Sequence, residues 1–119
     1  MTGSATKGIK TVLHPVSDLA AAKPLYTALL GVPPQTDLPF YVGFDAAGQH
    51  IGLVLGGGQQ GMTAPVIYWE VADIDETLAK AAAAGAVVTE APYDVGGGRL
   101  VATVTDLDGN VVGLLQENR

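Results

Sequence analysis

The sequence predicts an α+β fold of two βαβββ modules, whose strands form a curved, barrel-like mixed sheet with the helices packed on its outer face. Three observations carry that expectation: 119 residues at 48% hydrophobic content, an internal repeat running through them, and matching turn chemistry in both copies. A chain of this length buries roughly two-thirds of its unfolded surface as one domain and would starve a second core. One domain over residues 1–119 is therefore expected, with module one at about 8–55, a linker at 56–64 and module two at about 65–117.

The repeat aligns residues 11–31 with residues 66–85, so that Val16-x-Asp18-Leu19 answers Val71-x-Asp73-Ile74 and Gly31 answers Gly85. Each copy reads as strand, capped helix and glycine stop. Asp18 and Asp73 can accept hydrogen bonds from the first free helical N–H groups, and a glycine just past the helix can take the left-handed conformation. Pro24 falls about six residues inside the first helix and removes the hydrogen bond to Ala20, which predicts a kink or a late helix start. In the second helix, from about Asp73 to Ala84, the buried stripe is expected at Ile74, Leu78 and Ala81 or Ala82.

The modules also close alike. Asp45-x-x-Gly48-Gln49-x-Ile51-Gly52-Leu53 answers Asp106-x-x-Gly109-Asn110-x-Val112-Gly113-Leu114, and each segment reads as a turn between two alternating apolar strands. Further short strands are expected near Gln35 and between Val87 and Glu90. The run GGGQQG at 56–61 has the composition of a flexible joint.

Composition narrows the function. A net charge of −6 repels phosphate backbones, so nucleic acid is not an expected partner. The absence of cysteine excludes disulfides, thiolate nucleophiles and thiolate metal sites. The opening MTGSATKGIK has no apolar signal region and no stretch approaches 18 uninterrupted apolar residues, so a cytoplasmic protein with no membrane partner is expected. There is no Gly-x-Ser-x-Gly elbow and no His-Glu-x-x-His. Gly96-Gly97-Gly98 is not a phosphate loop, since no Lys-Ser/Thr follows and Arg99 opens a strand instead.

The Val-Ser-Asp-Leu helix start, the Leu-Leu-Gly-Val helix exit and the Asp106-Leu107-Asp108-Gly109-Asn110 turn occur in an order and spacing that resembles the vicinal oxygen chelate superfamily of glyoxalase, bleomycin-resistance and extradiol-dioxygenase proteins. The resemblance spans about residues 8–117, with Leu107 standing where proline is commoner. It implies the two-module fold, a cup for a small molecule and a frequent homodimer. In metal-using members a His or Glu on the first strand of each module and a Glu on the last converge on one divalent ion. Those positions fall at Thr11 and Val66, and at Gly52 and Gly113. Three have no side-chain donor atom and a lone threonine hydroxyl is a weak ligand, so no metal and no other cofactor is expected.

With strand period two, these positions define an inward face. Thr11 and Leu13 then point inward, with His50, Gly52 and Val54, with Val66, Tyr68 and Glu70, and with Arg99, Val101, Thr103, Gly113 and Leu115. Val12, His14, Val16, Ile67, Trp69 and Val71 should face the helices. The candidate ligand-binding residues are Tyr68, His50, Glu70, Arg99, Thr11, Leu13, Val66 and Thr103, an apolar floor with a few polar groups toward its rim. Each has a plainer role: His50 as a solvated turn histidine, Tyr68 as barrel filling, Glu70 and Arg99 as a surface ion pair, and His14 as a core histidine. No catalytic residue can be assigned. Three functions fit: metal-independent binding of a small, largely apolar or cationic molecule, an enzyme of the same superfamily with a non-standard metal or acid–base site such as His50 and Glu70, or a structural or regulatory dimer whose cup is filled by its own side chains.

Overall fold

The computed structural model describes residues 6–56 and 62–117; most of the glycine-rich joint therefore lies outside the described residues. The elements run β1 (Thr6–Val16), α1 (Leu19–Leu30), β2 (Thr36–Leu38), β3 (Tyr41–Ala46), β4 (Gln49–Leu55), β5 (Val66–Val71), α2 (Ile74–Ala83), β6 (Val87–Asp94), β7 (Leu100–Thr105) and β8 (Val111–Gln116). This is βαβββ twice, an α+β chain. It gathers into two compact units, residues 11–66, and 67 onward together with the described residues before Thr11. The opening of β1 thus belongs with the second module, where the Thr6 hydroxyl donates to the Glu70 carbonyl at 2.7 Å.

In the unit of residues 11–66 the strand order is β2-β3-β4-β1, antiparallel except for the β1/β4 pair, which is parallel. Helix α1 begins at Leu19 with Asp18 accepting from the Ala21 N–H, and ends on Gly31 at φ 75°. Pro24 lies inside it, so the late start is not what happens: the aspartate cap holds the first turn while only the Ala20 carbonyl forfeits its donor. Leu19, Val42, Phe44 and Leu53 form the core against which Val16, Ala22, Tyr26, Leu30 and Ile51 pack. The spacing 19, 22, 26, 30 is one helical stripe, and it leaves Leu25 and Leu29 61% and 71% exposed.

In the other unit the order is β1-β5-β8-β7-β6, with β5 and β8 parallel. Asp73 caps α2 by accepting from the Glu76 N–H, and the Gln116 side chain accepts from the Ile74 N–H at 2.8 Å. At the other end Gly85 and Ala86 donate back to Ala82 and Ala81, a Schellman closure that satisfies the last free carbonyls. Ile74 and Leu78 are buried with Val71, Ala102, Val104 and Leu114, and Trp69 packs against them. Ala81 is half-buried and Ala82 is exposed. Strand β2 starts one residue after Gln35. Strand β6 runs four residues past Glu90, to Asp94, with two register shifts along its pairing with β7.

The closing hairpins differ although their sequences are equally spaced. In β3/β4 the last pair is Ala46 with Gln49, leaving a two-residue loop in which Ala47 and Gly48 have φ 54° and 80°, the left-handed pair that suits strand twist. In β7/β8 the last pair is Thr105 with Val111, leaving five residues. There the Asp106 carboxylate accepts from the N–H groups of Asp108 and Asn110 and from the Asn110 side chain. The Asn110 side chain first, and then these N–H groups, hold the Asp106 carboxyl below its ordinary pKa.

The faces separate as strand parity requires. His14 meets Tyr26 of α1, ring centroids 5.5 Å apart, and Trp69 and Val71 face α2, whereas Ile67 remains 40% exposed. Desolvation pulls the His14 imidazole below its ordinary pKa. With the folded value below the unfolded one, stability is whole above about pH 6.5 and is lost as pH falls toward the folded value, because the unfolded chain takes up the proton first. Urea unfolding between pH 7.5 and 5.5 should therefore weaken less for His14→Gln than for the wild type; equal slopes would remove this role.

Candidate functional site

The face turned away from α1 carries Thr11 and Leu13 on β1, opposite His50 and Gly52 on β4, with Gly43 and Asp45 of β3 across from Gly52 and His50. Tyr41, two steps from Gly43, shares that face. Gly43 and Gly52 are direct cross-strand partners, and neither has a side chain to hold its neighbours off. A Cβ on Gly43 would stand 2.7 Å from His50 Cε1 and 3.1 Å from Tyr41 Cε2, and one on Gly52 would overlap the Tyr41 hydroxyl and stand 2.6 Å from Leu13 Cδ2. The two rings lie over the glycine pair and meet there.

Their meeting creates a chain of hydrogen bonds. The Tyr41 hydroxyl is 2.5 Å from His50 Nε2, and His50 Nδ1 is 2.9 Å from Asp45 Oδ1. The rings are near parallel, at 17°. A carboxylate accepts only, so His50 donates to it from Nδ1, and in the neutral ring Nε2 then accepts from the tyrosine O–H. The imidazole is only 24% exposed while Asp45 is 56% exposed. Beside them Thr11 is 7% exposed and its hydroxyl has no hydrogen-bond partner among the described residues, a defect that ordinarily costs about 1–3 kcal/mol.

The corresponding face of the second module is filled rather than wired. Tyr68 pairs with Gly113 and Glu70 with Leu115 across β5/β8, and Val101 and Thr103 pair with Leu115 and Gly113 across β7/β8. The Tyr68 ring is 2% exposed and presses on Gly113, where a Cβ would stand 2.5 Å from Tyr68 Cδ2. Bulges in β6 set both Thr89 and Glu90 against Thr103, whose hydroxyl lies 2.8 Å from the Thr89 hydroxyl and donates to Glu90 Oε1 at 3.4 Å. Val66 is buried, at 3% exposure.

Arg99 does not pair with Glu70 as the sequence suggested. Its Nε and one terminal nitrogen bind the two carboxylate oxygens of Glu117 at 3.1 and 2.9 Å, and Lys10 stands 3.9 Å from the same carboxylate. Glu117 lies just past the end of β8, where it is better placed for a two-pronged guanidinium contact. Of the candidate residues, Thr11, Leu13 and His50 thus share one module face, and Tyr68 and Thr103 share another with Glu70. Sequence reasoning missed Tyr41 and the second role of Asp45. Asp45 opposite His50 was available from the hairpin register; the reach of Tyr41 over two glycines was not.

A protein-family model described as the glyoxalase/bleomycin resistance protein/dioxygenase superfamily matches residues 8–114. The chain belongs to this superfamily. A search of curated proteins finds no match. Among solved structures, superfamily-like folds recur: a methylmalonyl-CoA epimerase from Mycobacterium tuberculosis is 16% identical with a TM-score of 0.74, covering 100% of this chain and 93% of its own. A Mn(II)-bound glyoxalase from Novosphingobium aromaticivorans is 20% identical with a TM-score of 0.73, covering 95% of this chain and 40% of its own. An NAD-dependent benzaldehyde dehydrogenase from Legionella pneumophila is 17% identical with a TM-score of 0.71, covering 91% and 98%. At such identities the likeness is one of fold.

The superfamily implies a divalent ion, and the residues at its ligand positions do not fit one. Thr11 offers one neutral hydroxyl, Val66 none, and at Gly52 and Gly113 the space a carboxylate side chain would need is taken by Tyr41 and Tyr68. No group of three or more His, Asp or Glu among the described residues could replace them.

Proposed function

We propose that this superfamily member binds a small, largely apolar or cationic molecule without a metal ion. The observation that carries this reading is that the four ligand positions hold Thr11, Gly52, Val66 and Gly113, with the Tyr68 ring packed onto Gly113, so that none offers a carboxylate or an imidazole. The apolar lining of Leu13 and the rings with a few hydroxyl and imidazole groups is the usual make-up of a small-molecule site, and the net charge of −6 favours a cationic ligand over an anionic one. Thr11, Leu13, His50 and Val66 would be the ligand contacts in the unit of residues 11–66, and Tyr68, Glu70 and Thr103 those offered by the other unit. Arg99, tied to Glu117, would act at the edge of the second unit's face.

The test is elemental analysis of protein purified without chelator or affinity metal, together with melting in Zn, Ni, Fe or Mn. No stoichiometric metal and no thermal gain are expected. A specifically bound ion at a hundredfold excess over Kd would add about 2.7 kcal/mol, so a large metal-induced rise in melting temperature overturns the reading.

The working form is proposed to be a homodimer. Leu25 and Leu29 on α1 and Phe40 between β2 and β3, the last 63% exposed, are large apolar groups that a second copy would cover. Sedimentation at micromolar concentration should give the dimer mass; a monomer there ends the proposal.

A further inference from the structure

The two helices hold the same place in the repeat, one in each unit, yet their outer faces are built for different surroundings. Helix α2 turns Asp75, Glu76 and Lys80 to solvent, with Glu76 and Lys80 paired at 3.5 Å one turn apart, the make-up of a solvated face. Helix α1 turns out Ala21, Pro24, Leu25, Ala28 and Leu29. Its single charged residue, Lys23, is bound to Asp37 of β2 at 2.7 Å. We propose that α1 packs antiparallel on α1 of a second copy, across a two-fold axis that passes near Leu25. The inference rests on the homodimer proposed above and states which face makes it.

Charge selects a second copy as the occupant. At a net charge of −6, two copies repel wherever their charged faces meet. The outer face of α1 lets them approach without bringing carboxylates together or stripping water from an ion. A basic partner would find no charge there to pair with, and an anionic lipid surface would be repelled by the rest of the chain. The face is also self-complementary. In an antiparallel pair centred on Leu25, the two Leu25 side chains meet at the axis and Leu29 of each copy lies over Ala21 of the other, large against small. A helix of 12 residues is about 18 Å long, too short to bury alone the roughly 800 Å² per partner of a stable interface. Phe40 and Leu55 extend it: they are joined by a backbone hydrogen bond, both are exposed, and Leu55 stands opposite Val16 at the entry to α1.

Strand β6, a sheet edge with exposed Val87, Val88 and Tyr93, is a poorer face for a second copy. Pro92 removes one of its backbone donors and two register shifts break its line, devices by which edge strands avoid pairing. Because α1 covers the side of its sheet opposite to Thr11, Leu13 and His50, a copy docked on α1 adds no residue to that face. Ligand contacts on the unit of residues 11–66 are then the same in monomer and dimer.

The chain has no cysteine, so a single introduced cysteine reports on one position. At micromolar concentration a short bis-maleimide should join Pro24→Cys, beside the axis on α1, into a covalent dimer. Ala83→Cys on α2 and Val95→Cys just past β6, both exposed, should stay monomeric under the same treatment. Replacing Leu25→Glu and Leu29→Glu together should raise the dimer dissociation constant a hundredfold or more, as loss of central anchors does. Both leucines face solvent in the monomer, so this variant should melt as cooperatively as the wild type. Added salt should not weaken the wild-type dimer, since it screens only the repulsion between copies. A wild type that sediments as a monomer ends the homodimer and this face together. A wild-type dimer that survives both glutamates, that salt dissociates, or that cross-links through α2 or β6 and not through α1, overturns this face alone and leaves the homodimer standing.

Discussion

Replacing Gly113 with valine is expected to lower stability by about 3 kcal/mol, or about 10 °C in melting temperature for a domain of this size. The backbone there is not the obstacle, because Gly113 has no positive φ. Space is. The first added carbon would stand 2.5 to 2.8 Å from three atoms of the Tyr68 ring, and that ring is 2% exposed, with Leu115 and Thr103 on the same face. A buried ring cannot swing into solvent, so strand or ring must shift and both resist. In a Tyr68→Leu background the same substitution should cost well under half as much, a coupling that urea unfolding of the four-member cycle would measure. Additive penalties would mean that the ring yields and that the close approach does not determine the packing.

Gly52→Val is expected to cost somewhat less, about 2 kcal/mol, and to act differently. Its Cβ would overlap the Tyr41 hydroxyl and stand 2.6 Å from Leu13 Cδ2. Tyr41 is only half-buried, so its far end can swing away, and when it does the hydrogen bond to His50 breaks. The substitution should therefore remove the Tyr41–His50 contact, seen as a changed His50 nitrogen shift, while the protein still folds cooperatively. Gly43→Ala makes the contrast: its nearest neighbours are the tips of the His50 and Tyr41 rings, and a smaller stability loss is expected. An unchanged His50 signal in Gly52→Val would show that the glycine is not what lets the rings meet.

These glycines also mark where the sequence could be read and where it could not. Helix ends were legible because capping is local: Asp18, Asp73 and Gly31 each satisfy groups within four residues of themselves. The alternation of Tyr68, Gly113, Leu115, Val101 and Thr103 was legible because β5, β7 and β8 pair without interruption. Strand β6 was not, since its register shifts bring Thr89 and Glu90 to one partner where alternation allows one residue. The Arg99 pairing escaped because Glu117 sits beyond the last strand, where periodicity has nothing to say. Tyr41 escaped because a missing side chain on a neighbouring strand, and not any property of Tyr41, decides where its ring rests.

Asp45 and Asp106 occupy equivalent places in the repeat, five residues before His50 and Val111 respectively, yet one carboxylate is occupied by its own five-residue loop while the other, above a two-residue loop, faces an imidazole. If the modules descend from a duplicated ancestor, the copies parted company without gaining or losing a residue in this segment. A tightened hairpin released one acid from its turn and left it to pair with an imidazole, while its twin stayed on as scaffolding. Module exchange should accordingly preserve the turns and erase the contact: a chain carrying the second module twice would keep its caps and its packed tyrosine, and would have no carboxylate–imidazole pair at this hairpin.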